Sequence, residues 1–123
     1  MKQRVAAAID EAASVLEEVA RDIEREPELG FKEHKTAAKV ERYLTALGLT
    51  PETGLAFTGV KARAQGGRPG PTVAILSELD AVGTPDSPKA DPLTGAAHTC
   101  GHFLQMTTML AVATGLMEAG ILP

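Results

Sequence analysis

Hydrophobic and polar positions follow a helical period along the first quarter of the chain. Apolar residues recur every three or four positions, and polar residues and Ala fill most positions between them, the apolar set being Ile9, Ala12, Leu16, Val19 and Ile23. This spacing predicts one amphipathic helix that ends near Glu26 and Pro27. The same period returns in the stretch HKTAAKVERYLTALGL, where Gly48 is expected to end a second helix.

The period then changes from helical to extended. Apolar and polar residues alternate from 60 to 65, which predicts a strand with one solvated face, and the segment GGRPGP at 66–71 predicts a turn. The following stretch TVAILSELDA, at 72–81, is apolar on both sides from Val73 to Leu76. Such a run is typical of a buried central strand. We therefore expect a β-hairpin whose second strand is buried.

A third helix is expected near the end of the chain. The stretch FLQMTTMLAVATGLM, at 103–117, contains no charged residue. A helix that is apolar on all sides is buried on most of them, and this one is too short and too rich in Thr to span a bilayer. The order of two helices, a hairpin and a buried helix predicts the α/β fold class.

Composition narrows the class of protein. The 123 residues fit a single domain, and 44% hydrophobic with 23% charged residues is typical of a soluble globular protein. A net charge of −4 without a basic face argues against a nucleic-acid partner, and Asp10 and Glu11 interrupt any signal-peptide core. A single Cys cannot form an internal disulfide, so we expect a cytoplasmic protein. We also expect that it binds neither nucleic acid nor membrane.

The segment AAHTCGH, at 96–102, contains the most distinctive chemistry. Its Cys100 is flanked by His98 and His102, each two residues away. In an extended segment, residues i and i+2 project to the same side, so Cys100 and His102 could face one locus, with His98 as a third member. Thiolate and imidazole are ligands for zinc or a similar transition metal. Coincidence within a loop is the alternative, and the spacing alone does not exclude it.

Two carboxylates, Glu78 and Asp80, follow the predicted buried strand. In open α/β sheets, ligands bind beyond the carboxyl ends of strands, so this position suits a site, and Asp80 could bind a metal or orient one of its ligands. A solvated strand end is the alternative. The loop from Gly83 to Ala97 is long for a simple connection and leads back to His98, which favours a functional role.

Three stretches resemble, in order, the N-terminal motifs of a metallo-amidohydrolase family. They are PELGFKEHKTAAKVERYLTALGL, SELDAV and ADPLTGAAHTCGH, and the similarity runs from about Pro27 to Leu116. The family contains hippurate hydrolase, indole-acetyl-amino-acid hydrolases and aminobenzoyl-glutamate hydrolases, and is related to aminoacylase and the glutamate carboxypeptidases. The resemblance implies a three-layer α/β/α zinc-peptidase-like catalytic domain. Residues 1–123 would be a partial N-terminal segment of it, without the lid and dimerisation domain and the C-terminal half.

The resemblance also implies roles for individual residues. Cys100 and His102 match metal ligands of a two-metal centre, Asp80 matches a residue that orients or binds a ligand, and His98 matches a framework residue rather than a ligand. His34 has no counterpart and is expected on a helix surface. A further set matches the ELGF segment, which we interpret as structural: Glu28, Gly30, Phe31, Glu33 and Thr36.

The activity implied is hydrolysis of the amide bond of N-acyl amino acids or similar small amides, with a divalent metal, zinc or manganese, as cofactor. In the family, a Glu outside the matched motifs acts as general base, so we expect no catalytic residue in this chain and no activity from it alone. Association with the missing C-terminal part, or homo-oligomerisation, is expected instead. Phe103 departs from the Asp or Asn that the family usually has after CGH. The alternative function is a non-catalytic module that self-associates or binds a partner.

Overall fold

The computed structural model describes residues 1–122 and has four helices and four short strands within them. The helices are α1 (Lys2–Glu11), α2 (Ala13–Arg25), α3 (His34–Ala46) and α4 (His102–Glu118). The strands are β1 (Glu52–Leu55), β2 (Gly59–Lys61), β3 (Val82–Gly83) and β4 (Ala96–Ala97). The mixture of helices with two small antiparallel sheets, β1 with β2 and β3 with β4, agrees with the α/β class.

The helical predictions are confirmed except at one point. The first helix is interrupted at Ala12, although its backbone keeps right-handed dihedral angles of φ −87° and ψ −2° and hydrogen bonds continue through it. The second predicted helix corresponds to α3, and Gly48, with φ +83°, lies two residues beyond its end. The third corresponds to α4, which begins one residue before the predicted stretch and ends one residue after it.

The core lies where α4 packs against the other three helices. Periodic apolar positions on α2, α3 and α4 supply its buried side chains: Leu16, Ile23, Val40, Leu44, Met106 and Leu110. One hydrogen bond crosses this region, between the hydroxyl groups of Tyr43 and Thr114 at 2.9 Å. Because Gly115 lacks a side chain, α1 can approach α4 closely, and an added Cβ would lie 2.8 Å from a methyl carbon of Val5.

The predicted buried strand at 72–81 is wrong. Residues 62–80 form no regular secondary structure, and the side chains of Val73 and Leu76 are 80% and 89% exposed. A strand that is apolar on both faces needs neighbouring strands and covering layers. The strands of the described part of the chain pair only with each other, β1 with β2 and β3 with β4, and residues 72–81 form only one isolated bridge, between Ala81 and Leu29, so Val73 to Leu76 have no strand partner.

The predicted hairpin is therefore shifted along the chain. It forms between β1 and β2, with Glu52 opposite Lys61, and only the first residues of the expected 60–65 strand belong to it. The three-layer arrangement stays a prediction, because no central multi-stranded sheet is present in residues 1–122.

No helix in this part of the chain combines the length and the apolar character that a membrane crossing requires.

Candidate metal centre

His102 is fixed by the turn that begins α4. The amide of Gly101 donates to the carbonyl oxygen of His98 at 3.3 Å, and Gly101 adopts φ +80°, a conformation that suits glycine because it has no Cβ. His102 follows as the first residue of α4. The helix predicted for 103–117 is therefore present, and it begins one residue earlier, at His102.

The sheet formed by β3 and β4 brings Asp80 and His102 together. Val82 pairs with Ala97 and Gly83 pairs with Ala96, so both ends of the long loop between them lie side by side. Asp91 braces the loop, since its carboxylate accepts hydrogen bonds from Thr94 and Leu93 that hold the Asp91 pKa below its usual range. The loop that connects β3 and β4 therefore begins and ends at adjacent positions of one small sheet.

A second contact holds the Asp80 segment against the helices. The amide of Ala81 donates to the carbonyl oxygen of Glu28 at 2.7 Å, and Leu29 forms a parallel bridge with Ala81. The Glu28 side chain caps α3, because its oxygens accept from the amides of Lys35 and Thr36 and from the Thr36 hydroxyl. Glu28 thus links the start of α3 to the backbone beside Asp80.

Two carboxylates hold the imidazole of His102, and we name Glu78, Asp80 and His102 the His102 cluster. Nδ1 is 3.0 Å from Oδ1 of Asp80 and 2.8 Å from the Asp80 backbone oxygen. Nε2 is 3.0 Å from Oε2 of Glu78. The His102 side chain is only 13% exposed, whereas that of Glu78 is 62% exposed.

The tautomer of His102 follows from these contacts. Nδ1 has its hydrogen bond with the backbone oxygen of Asp80, which is an acceptor, so Nδ1 donates to it, and Oδ1 of Asp80 lies 3.0 Å from the same nitrogen. In the neutral imidazole the lone pair is then on Nε2, on the side of Glu78. Metal-binding histidines commonly donate from one ring nitrogen to a carboxylate and coordinate through the other. The contact of Nδ1 with Asp80 is one feature that the cluster shares with such histidines.

Cys100 is exposed, and the geometric reason for pairing it with His102 is wrong. Thr99 and Cys100 form a turn and Gly101 is left-handed, so the segment is not extended and the two-residue alternation does not apply. Across residues 1–122, no group of three or more His, Cys, Asp and Glu side chains is arranged to hold a metal ion. The donor types fit a transition metal, but the cluster gathers only part of a coordination shell.

His98 lies beside the cluster in an apolar environment. Both of its ring nitrogens are buried and have no hydrogen-bond partner among the described residues, and its ring is 5.5 Å from that of Phe103. Burial, and next the nearby His102, lower the pKa of His98 below its usual value. A lowered pKa favours the neutral ring, as expected for a residue that packs. Phe103 stands where the resembled family usually has Asp or Asn, and in this chain it contacts the ring of His98.

The ELGF segment has structural contacts. Besides the capping by Glu28, the buried carboxylate of Glu33 accepts a hydrogen bond from the Thr58 hydroxyl at 2.7 Å, which ties α3 to the hairpin. Phe31 and Phe57 are exposed and meet edge to face, with ring centroids 5.9 Å apart. His34 is exposed at the start of α3, as predicted.

Sequence analysis placed Glu78 with Asp80 at a candidate site but assigned a specific role only to Asp80. The signal was present, because Glu78 lies two residues before Asp80 and both follow an apolar run. The resemblance drew attention to Asp80 alone, and the contact of Glu78 with Nε2 appears only in three dimensions.

Three of the curated proteins that match most of this chain illustrate the similarity. YhaA of Bacillus subtilis, named an amidohydrolase, is 38% identical over 104 residues, which are 82% of this chain and 26% of that protein. Thermostable carboxypeptidase 2 of Saccharolobus solfataricus is 32% identical over 105 residues, 82% of this chain and 27% of its own length. IAA-amino acid hydrolase ILR1-like 6 of Arabidopsis thaliana is 32% identical over 101 residues, 80% of this chain and 22% of its own length.

The chain spans about a quarter of the length of these relatives. No family model matches the sequence, and no solved structure matches it.

Proposed function

The chain belongs to the amidohydrolase and carboxypeptidase family of these relatives, and from that premise we propose that the His102 cluster is part of a metal site for amide hydrolysis. The substrates proposed are N-acyl amino acids or similar small amides, and the cofactor is a divalent metal, zinc or manganese. The observation that carries the proposal is the imidazole of His102, with Nδ1 bound to Asp80 and Nε2 directed to a second carboxylate.

Each residue has a distinct part in this proposal. His102 binds the metal through Nε2, and Asp80 holds the ring and its tautomer. Cys100 is a second ligand, which its exposure and the open space around Gly101 leave free to approach. A bound divalent cation would polarise the amide carbonyl and make water a better nucleophile. His98, whose ring lies beside that of Phe103, packs in this region and binds no metal.

The same proposal includes a limit on activity. One catalytic zinc normally takes three protein ligands, and the described residues gather fewer around His102. We infer that the 123 residues are an N-terminal part of the catalytic domain and do not hydrolyse amides alone. Incubation of the purified chain with hippurate and zinc or manganese should release no glycine, and robust hydrolysis would contradict this inference.

Metal content tests the site itself. The purified chain, dialysed against zinc and then against buffer, is analysed for metal beside Cys100→Ala and His102→Ala. The wild type should retain zinc, and both variants should lose most of it. His34→Ala is the matched control, because His34 is an exposed histidine at the start of another helix. Equal zinc in the wild type and in His102→Ala would contradict the proposal.

A second candidate function, self-association without catalysis, is favoured by one observation. Val73, Ile75 and Leu76 are exposed apolar side chains on a segment with the composition of a strand. Analytical ultracentrifugation of the wild type and of Ile75→Lys separates the two cases. A dimer that the substitution dissociates, together with no zinc binding, would support the second candidate over the first.

A further inference from the structure

Glu78 is the carboxylate on the metal side of the His102 ring. Its Oε2 is 3.0 Å from Nε2, while Asp80 contacts the opposite nitrogen, Nδ1. We propose that Glu78 is a direct ligand of the cation bound at Nε2, and that Asp80 acts on the cation only through the ring. This inference rests on the proposed function, since it concerns the same site.

The contacts of the ring place the two carboxylates on opposite sides of it. Nδ1 donates to the Asp80 backbone oxygen, so Nε2 is the nitrogen that can coordinate a metal, which would displace any proton that Nε2 shares with Glu78. A carboxylate oxygen that already lies beside Nε2 shares the position a cation would occupy. Asp80 lies on the far side of the imidazole.

The separation of the two donor atoms fits two ligands of one ion. Zinc binds imidazole nitrogen and carboxylate oxygen at about 2.0–2.2 Å, which in tetrahedral geometry places the two donors about 3.4 Å apart. The observed separation of 3.0 Å between Oε2 and Nε2 is close to this value. The observed separation is shorter than this value, so Glu78 has to move away from the ring for a cation to be bound by both donors.

The surroundings of Glu78 permit that shift and give access to the site. Its side chain is mostly exposed, and it belongs to the segment without regular secondary structure, whereas His102 is fixed at the start of α4. A cation can approach from solvent on the Glu78 side. Two carboxylates around one imidazole also attract positive charge to this position.

The alternative is that Glu78 merely pairs with a protonated His102 and competes with the metal. The two roles differ in the sign of one measurement, the change in zinc affinity on Glu78→Gln. Loss of a ligand weakens zinc binding, whereas loss of a competitor strengthens it. Zinc affinity is measured by competition with a chromogenic chelator for the wild type, Glu78→Gln and the control Glu18→Gln, which changes an exposed carboxylate on α2.

We expect Glu78→Gln to weaken zinc binding about tenfold or more, with circular dichroism unchanged, and Glu18→Gln to bind as the wild type does. The visible absorption of the Co²⁺ form should change as well, because the ligand set changes. Unchanged or tighter zinc binding by Glu78→Gln would overturn the inference.

His102→Ala distinguishes this failure from that of the proposed function. If His102→Ala loses zinc and Glu78→Gln keeps it, Glu78 is not a ligand and the metal site stands. If the wild type itself binds no zinc, both the inference and the proposed function are overturned.

Discussion

The helical region and the segment 62–80 are equally apolar in places, yet the first is packed and the middle of the second is exposed. In the helical region, the apolar faces of α2, α3 and α4 cover one another, and Leu110 is fully buried. In the segment, Val73 and Leu76 remain in solvent. The difference shows that apolar character leads to burial only where the chain supplies a partner surface, as neighbouring helices do for α4.

The largest test of this comparison is a matched pair of truncations. Leu110→Ala should lower the free energy of unfolding by about 3 kcal/mol, because it leaves a cavity in the core. Val73→Ala should change it by less than about 0.5 kcal/mol, because that side chain is exposed. Urea denaturation followed by circular dichroism measures both, and similar losses for the two variants would contradict the described difference between the regions.

A smaller loss of stability is expected from removing a hydrogen bond inside the helical region than from truncating Leu110, and removing one on an exposed face should matter less still. Tyr43→Phe removes the hydroxyl that pairs with Thr114 and should cost about 1 kcal/mol of unfolding free energy. Thr108→Ala is the control, since the Thr108 hydroxyl bonds the carbonyl oxygen of Leu104 on an exposed face of the same helix, α4. If both variants unfold at the wild-type urea concentration, the Tyr43 bond adds nothing to stability.

A third test uses the charges that link α2 to α3. Glu26 contacts Lys39 and Lys35, whose hydrogen bonds lower the Glu26 pKa to about 2. A lowered pKa means that the stabilisation is complete above the ordinary pKa of Glu and is lost as pH falls from about 4.5 towards 2.

The Glu26 side chain is 42% exposed, so the expected contribution is only about 0.5 kcal/mol. Glu26→Gln should therefore be slightly less stable than the wild type at pH 6, and the two should converge near pH 2. Thermal melts across this range measure the difference. A difference that grows as the solution is acidified would have the wrong sign and would reject this explanation.

The smallest expected effect lies in the exposed segment itself. Leu76→Ser should unfold within about 0.3 kcal/mol of the wild type, since the side chain is already in solvent. The measurement is repeated at two protein concentrations tenfold apart. A loss above about 1 kcal/mol that grows with concentration would show that a second copy covers the segment and would remove the contrast between the regions.

Sequence patterns predicted the helices well for a local reason. The periodic faces of α3 and α4, and the Gly48 that follows α3, depend on neighbouring residues in the chain, so their signals are contained in the sequence of each helix. The strand at 72–81 failed because its burial depends on partner strands, which a pattern of apolar residues cannot supply.

The candidate site was predicted in part for a similar reason. The position of His102 at a helix start follows from local sequence, and the resemblance singled out Asp80. The contact between Glu78 and Nε2 depends on the return of the chain through β3 and β4, a long-range event. The turn at Cys100 depends on the left-handed Gly101, which a reading of the segment as extended misses.

Glu28 connects α3 to the segment beside Asp80, and this connection affects which substitutions the site can accept. One residue caps α3 through its side chain and binds the amide of Ala81, next to Asp80, through its backbone carbonyl. Substituting the side chain removes the cap and leaves the carbonyl in place, so the two attachments are chemically separable. The start of α3 and the Asp80 side of His102 can thus vary independently at the level of side chains, while the peptide backbone preserves their alignment.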